Sequence, residues 1–311
     1  MERDKSLDGI KFILVFVVIL IHVKYISPYG TEINRILNSF VMPLFVLLSG
    51  YFTKVTAWSR FGQWAKKILG VYLIFDIIIT LFSMWLHHKN WDVSSILLGV
   101  LKPVNSMWYL MSLFWWRTML QTLSWCKIRI DWKLLIVVIP LSIMAGFVPL
   151  GHELSFQRTF AWFPFFLLGF LFRQWGAIER IRSQKVWYFI PLFLVAFYVA
   201  IKIPIYMPVK EYSSLHDVEI RILQMLNGLV LSVCLLRLIL PSIASRFSWL
   251  GRHSLYFYIY HSIPILAQRV YFEQNDITVT LPVALAICVG YVVVISLMTQ
   301  IKPFHWLLLE K

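Results

Sequence analysis

Apolar runs long enough to cross a bilayer recur along almost the whole chain, and this pattern constrains the fold most. Hydrophobic residues make up 59% of the 311 residues, and charged residues only 14%. A soluble domain of this size cannot bury so much apolar surface, so we expect a polytopic membrane protein. The pattern predicts an all-α fold with about ten transmembrane helices in one membrane-embedded domain, residues 1–311. The predicted spans are 9–27, 36–52, 67–87, 106–125, 134–149, 160–173, 186–203, 220–240, 253–272 and 280–300, with a half-helix at 93–101.

Basic residues divide unevenly between the two sides of the membrane when ten spans alternate from a cytoplasmic N-terminus. The cytoplasmic side then receives eighteen Lys and Arg residues and the outer side nine, with Arg269 in the outer set. The positive-inside rule therefore predicts a multi-pass protein of the plasma membrane with both termini in the cytoplasm. Topology and lipid phosphates account for the net charge of +14, so we expect no nucleic-acid partner. Cys126, Cys234 and Cys288 lack metal or disulfide spacing and are interpreted as packing residues.

Three ionisable residues, Asp8, Lys11 and His22, lie at or within the first predicted span. Eleven helical positions return to within about 20° of the starting direction, about 16 Å further along the axis. Lys11 and His22 therefore share one face, with Lys11 near the cytoplasmic surface and His22 deeper in the membrane. Histidine is the usual general base near neutral pH, which makes His22 the candidate catalytic residue. The alternative is a histidine that only caps or anchors the helix.

Other ionisable side chains inside apolar runs are costly in lipid and are often functional. His261 is either a polar wall of a cavity or a packing histidine. Arg117 either binds an anion or pairs with Asp76 of the third span.

A cluster of basic residues follows the second span in what the sequence predicts to be one short loop: Lys54, Arg60, Lys66 and Lys67. These residues either contact lipid head groups or, with Lys11, bind the phosphates of a nucleotide-like molecule. The sequence has no Walker loop, dinucleotide fingerprint, Gly-x-Ser-x-Gly elbow or His-Glu-x-x-His motif. These absences exclude the ordinary nucleotide-binding folds and the hydrolases that carry such motifs.

Four segments, in order, resemble a known family. They are Leu7-Asp8-Gly9-Ile10-Lys11 followed by His22, the run from Pro43 to Phe52, Met107-Trp108-Tyr109-Leu110 with Arg117, and Leu250-Gly251-Arg252-His253-Ser254-Leu255 leading to His261. Together they resemble the integral-membrane acyltransferase 3 family, in the branch related to fucose 4-O-acetylases. The resemblance covers nearly the whole chain.

The resemblance implies O-acyl transfer, with acetyl-CoA from the cytoplasm as co-substrate and a hydroxyl of a cell-envelope or extracellular carbohydrate as acceptor. No metal is expected, because a thioester is already activated. His22 would act as the base. Lys11 stands where the family carries arginine, which keeps the charge but loses the planar fork. The residues expected to hold CoA are Asp8, Lys11, Arg60, Lys66 and Lys67, and those expected to line the acceptor cavity are Trp108, Tyr109, Arg117 and His261.

Two other functions remain open from the sequence. One is a transporter or flippase of a polysaccharide or lipid-linked sugar, with Asp76, Arg117, Gln224 and Asn227 along its path. The other is a non-catalytic partner of a cell-envelope synthase. A homodimer also stays open.

Overall fold

The computed structural model of the chain describes residues 4–23, 30–88, 93–103, 105–148, 153–203, 211–302 and 304. Over these residues the regular structure is helical with no β-strand, which confirms the predicted all-α fold for the described part. The helices are α1 (Lys5–His22), α2 (Gly30–Phe52), α3 (Trp58–Leu86), α4 (Val93–Leu101), α5 (Trp108–Trp125), α6 (Lys133–Met144), α7 (Phe156–Trp175), α8 (Ala177–Ser183), α9 (Phe189–Lys202), α10 (Leu215–Leu238), α11 (Pro241–Ala244), α12 (Ser248–Arg252), α13 (Ser254–Tyr260), α14 (Ser262–Gln274) and α15 (Leu281–Met298).

Helix α1 begins earlier and ends earlier than the first predicted span, 9–27. Asp4 caps its start, because its Oδ1 accepts hydrogen bonds from the backbone N–H groups of Ser6 at 2.8 Å and Leu7 at 3.2 Å. The helix ends at His22, and residues 24–29 lie outside the described part of the chain. His22 is therefore the last residue of α1 and not an interior residue of a longer helix.

The ninth predicted span, 253–272, is two helices that meet at His261. Pro264 explains the break. Its ring nitrogen has no hydrogen to donate, so a helix continued through this position would lose a backbone hydrogen bond. A new helix beginning at Ser262 places Pro264 in its first turn, where that N–H is not needed.

Among the residues that the structure describes, four helices are long and apolar enough to cross a membrane: Glu32–Phe52, Trp58–Leu86, Leu215–Leu238 and Leu281–Met298. A fifth candidate is the pair Ala177–Ser183 and Val186–Lys202, which is bent by 98°. These helices support a membrane protein with several spans. The count of ten spans and the cytoplasmic termini stay predictions.

The chain divides into two compact units. Unit 1 comprises Met1–Ile33, Gln63–Met111 and Pro241–Lys311, and unit 2 comprises Asn34–Gly62 and Ser112–Leu240. The assignment of 1–311 as one domain stays a prediction.

Unit 2 is held by close helix contacts and by buried hydrogen bonds. The backbones of α2 and α7 meet at Gly50 and Gly169, where an added Cβ would lie under 2 Å from a carbonyl oxygen of the other helix. Small residues allow such approaches between membrane helices. The Trp116 indole donates to the Thr159 carbonyl at 2.8 Å, which joins α5 to α7.

Of the cysteines, Cys234 and Cys288 are buried as predicted for packing residues, whereas Cys126 is exposed just after α5, and its predicted packing role is wrong.

Candidate active site

The N-terminal half of α1 lies directly against α11 and α12 within unit 1. A Cβ added to Gly9 would lie 1.7 Å from the Ala244 carbonyl oxygen, and one added to Gly251 would lie 1.8 Å from the Asp8 carbonyl oxygen. Only glycine allows backbones to approach so closely. These two glycines therefore bring the segment after residue 241 into backbone contact with α1.

Further contacts set the direction of this packing. The Phe12 ring lies 5.4 Å from the Phe257 ring, edge to face, and the His22 ring lies 5.5 Å from the His261 ring, both between centroids. Asp8, Phe12 and His22 thus meet their partners in the same order as the partners occur in the chain. The segment from α12 to His261 consequently runs parallel to α1, and the break at His261 lies beside the end of α1.

A small pocket opens beside the two histidines. The lining residues of α14 fall on one helical face, because they recur at intervals of three to four positions. The pocket is lined by His22, Ser106, His261, Ser262, Ile265, Leu266 and Arg269.

The two histidines differ in their surroundings. His261 is buried, and its Nδ1 lies 2.8 Å from the Phe257 carbonyl oxygen. A carbonyl oxygen only accepts, so Nδ1 carries the proton, and Nε2 of the neutral ring is an acceptor. His22 is half-buried at the end of α1. The structure therefore brings together the two histidines that the sequence singled out separately.

The other end of α1 carries an ion pair. Lys11 Nζ lies 2.7 Å from Asp8 Oδ1, and the side chain of Asp8 is 2% exposed whereas that of Lys11 is 20% exposed. The three-residue spacing puts both side chains on adjacent turns of one face. The buried carboxylate holds the ammonium group, and the more exposed ammonium remains within reach of a ligand.

Trp108 and Tyr109, the predicted acceptor-binding aromatics, connect to the histidines through Tyr258. The rings of Trp108 and Tyr109 lie 6.0 Å apart, Tyr109 lies 5.2 Å from Tyr258, and Tyr258 lies 6.1 Å from His261. The Tyr258 hydroxyl donates to the Ser106 carbonyl, and the hydroxyls of Ser106 and Ser262 share a hydrogen bond. Aromatic and hydroxyl contacts thus connect Trp108 to the pocket.

Comparison with protein families decides the assignment. A family model described as an acyltransferase domain, acyltransferase 3, matches residues 4–300. The chain belongs to the acyltransferase 3 family. No curated protein and no solved structure matches it. The protein is accordingly a membrane acyltransferase, and its histidine pocket is the candidate site for acyl transfer.

The basic cluster of this acyltransferase does not lie in one loop, contrary to the prediction. Residues 53–57 alone connect α2 to α3, and Arg60, Lys66 and Lys67 belong to the first three turns of α3. Phe61 and Ile68 are buried on one face, while Arg60 and Lys66 are exposed and Lys67 is half-buried. The helix starts early because this stretch is amphipathic, with apolar positions at helical spacing.

Arg117 and Asp76 fall in different units of the acyltransferase. Arg117 is half-buried in the part of α5 that belongs to unit 2, and Asp76 is fully buried in the part of α3 that belongs to unit 1. The predicted pairing of these two side chains stays a prediction, as does anion binding by Arg117.

The sequence did not predict three polar residues of the pocket, Ser106, Ser262 and Arg269, or Tyr258, which bonds to Ser106. Arg269, which the sequence counted only among the basic residues of the outer side, lies within α14 and lines the pocket. The available signal was the spacing of His261, Ile265 and Arg269, which are four residues apart and share one helical face. Nothing in the local sequence linked Ser106 to residues more than 150 positions later.

Proposed function

We propose that this acyltransferase transfers an acetyl group from cytoplasmic acetyl-CoA to a hydroxyl of a cell-envelope or extracellular carbohydrate, as a fucose 4-O-acetylase-like member of its family. The main support is the pair of histidine rings, 5.5 Å apart in one pocket, at the end of the helix whose beginning carries Lys11. Lys11 and His22 are about 16 Å apart along α1, about half the thickness of the hydrocarbon core. Such a helix suits an acetyl-CoA donor that enters from one side of the membrane and reacts within the membrane.

His22 acts as the general base in this proposal. Its imidazole takes the proton of the acceptor hydroxyl while the hydroxyl oxygen attacks the thioester carbonyl carbon. The carbon–sulfur bond then breaks, and the thiolate of CoA leaves and receives a proton from the imidazolium. His261 presents Nε2 as an acceptor toward the same pocket, so it binds and orients the acceptor hydroxyls.

The donor end depends on charge. Lys11 binds a phosphate of CoA, and Asp8 positions Lys11 through the ion pair at 2.7 Å. Arg60, Lys66 and Lys67 at the start of α3 bind the remaining phosphates, since exposed basic groups suit a polyanion. No metal takes part in this proposal.

The acceptor end is aromatic. Trp108 and Tyr109 stack on the apolar faces of the sugar ring, and Arg117 contributes a hydrogen-bond donor. The protein lies in the plasma membrane with both termini in the cytoplasm, so the carbohydrate reaches the pocket from the outer side.

A steady-state assay in proteoliposomes tests the proposal. The purified protein receives acetyl-CoA and envelope glycans from cells that lack the protein, and free CoA thiol and acetylated glycan are measured. His22→Ala should lower kcat by about 10²- to 10⁴-fold, the range for general-base catalysis. His87→Ala is the matched control, because His87 is an exposed histidine at the end of α3.

Two results would contradict the proposal. Normal CoA release by His22→Ala would remove the base assignment. Glycan transport across the vesicle membrane by the wild type without any CoA release would favour the transporter.

A further inference from the structure

Arg269 is the charged side chain of the pocket that the reaction described above does not use. It lies on the same face of α14 as His261 and Ile265, and its Nε is buried without a hydrogen-bond partner among the described residues. A guanidinium offers five N–H donors, and leaving one of them buried and unpaired is unfavourable. The free protein therefore holds a donor ready for a ligand atom.

The position of Arg269 distinguishes the two ends of the site. The segment from α12 to His261 runs parallel to α1, and α1 ends at His22 beside His261. Arg269 is eight residues beyond His261, about 12 Å further along the helix axis. Arg269 lines the pocket at the His22 end of α1, and Lys11 lies about 16 Å from that end along the helix. Long side chains on a helix point back toward its N-terminus, here toward His261.

The charge of the pocket indicates what Arg269 binds. None of the seven lining residues that the structure describes is acidic. A guanidinium pairs preferentially with carboxylate or phosphate oxygens, which can accept two of its hydrogen bonds at once. The two hydroxyls of Ser106 and Ser262 add neutral polar groups beside it.

We propose that Arg269 binds an oxyanion of the acceptor, so that the preferred carbohydrate carries a carboxylate or a phosphate close to the hydroxyl that is acetylated. This inference rests on the proposed function, because it assigns the acceptor side of the same pocket. An acidic sugar and a sugar phosphate present the same chemistry to the guanidinium. The experiment distinguishes these two sources.

Transfer of label from radioactive acetyl-CoA is measured in proteoliposomes with three preparations of envelope glycans from cells lacking the protein. One preparation is untreated, the second has its carboxyl groups reduced to alcohols, and the third has its phosphates removed. The wild type should lose transfer on carboxyl reduction if the oxyanion is a carboxylate, and on phosphate removal if it is a phosphate.

Variants of Arg269 assign this preference to its side chain. Arg269→Ala should raise the apparent KM for untreated glycans about 10- to 100-fold, or about 1.4 to 2.8 kcal/mol, and leave the KM for acetyl-CoA unchanged. Arg269→Lys should recover part of the affinity, because it keeps the charge but not the fork. Arg129→Ala is the control, since Arg129 is 89% exposed and pairs at 3.3 Å with Asp131 in a loop of unit 2. The unchanged donor KM verifies that the variant is folded.

Three other outcomes would contradict either the anion subsite or the proposed function. Equal transfer by the wild type to all three preparations overturns the anion subsite and leaves the transferase intact. A lower kcat with an unchanged acceptor KM in Arg269→Ala also overturns it, because that result assigns the guanidinium to the reacting thioester. No label transfer by the wild type to any preparation contradicts the proposed function itself.

Discussion

Gly251→Ala should separate α12 from α1 and thereby damage both the fold and the histidine pair. An added Cβ would lie 1.8 Å from the Asp8 carbonyl oxygen and 2.3 Å from its carbon, whereas ordinary contacts begin at 3.4 Å. The two backbones must therefore move apart by about 1.6 Å, since neither can rotate away as a side chain does.

The magnitude follows from this displacement. Overpacking costs about 1–3 kcal/mol, and a clash between two backbones should reach the upper end, so we expect a loss of about 3 kcal/mol of unfolding free energy. His261 follows Gly251 by ten residues along the same packed segment. A displacement of about 1 Å at a reacting group can cost about 10²-fold in rate, so acyl transfer should fall at least that far.

The measurement is SDS titration in mixed micelles, followed by circular dichroism, together with CoA release at saturating acetyl-CoA. Gly290→Ala is the matched control, because Gly290 is an interior glycine of α15 in the same unit and an added Cβ meets nothing within 4 Å. That change should be neutral or stabilising by up to about 1 kcal/mol. If Gly251→Ala unfolds at the same SDS concentration as Gly290→Ala and releases CoA normally, the proposed packing of α1 against α12 is refuted.

Three further predictions concern the donor, the acceptor and the topology. Lys11→Ala should weaken acetyl-CoA binding by about 1.5–3 kcal/mol, seen as a higher KM at nearly constant kcat, whereas Lys11→Arg should retain the binding. Adding Asp8→Asn to Lys11→Ala should recover the stability lost around the buried carboxylate but should not restore the KM. An unchanged KM in Lys11→Ala would remove Lys11 from the donor site. His261→Asn keeps a hydrogen-bond donor for the Phe257 carbonyl but removes the Nε2 atom, so the KM for the acceptor carbohydrate should rise at least about tenfold. Wild-type kinetics in this variant would make His261 a packing residue. An impermeant maleimide should label Cys126, the exposed cysteine, only after cells are permeabilised, and Cys126→Ser should abolish this labelling. Labelling on intact cells would contradict the cytoplasmic placement of the loop after α5.

Local signals in the sequence predicted much of the secondary structure. The half-helix at 93–101 matches α4 at both ends, and the helices near 106–125 and 280–300 agree within a few residues. These signals depend on neighbouring residues, such as apolar spacing, caps and proline positions. Where the prediction failed, local features again explain the difference: Asp4 starts α1 early, and Pro264 divides the ninth predicted span.

The sequence alone determined the elements of the site, and the tertiary structure decided how they combine. Helical spacing was sufficient to put Asp8 and Lys11 on one face of α1. The apolar surroundings of His22 and His261 were sufficient to single out these two histidines. The sequence could not pair these histidines, because 239 positions separate them in the chain and their approach depends on which helix backbones fit closely. Two glycines, Gly9 and Gly251, permit that fit within unit 1. One face of α14 lines the pocket, so Arg269, which the sequence counted only among the outer basic residues, becomes part of the candidate active site.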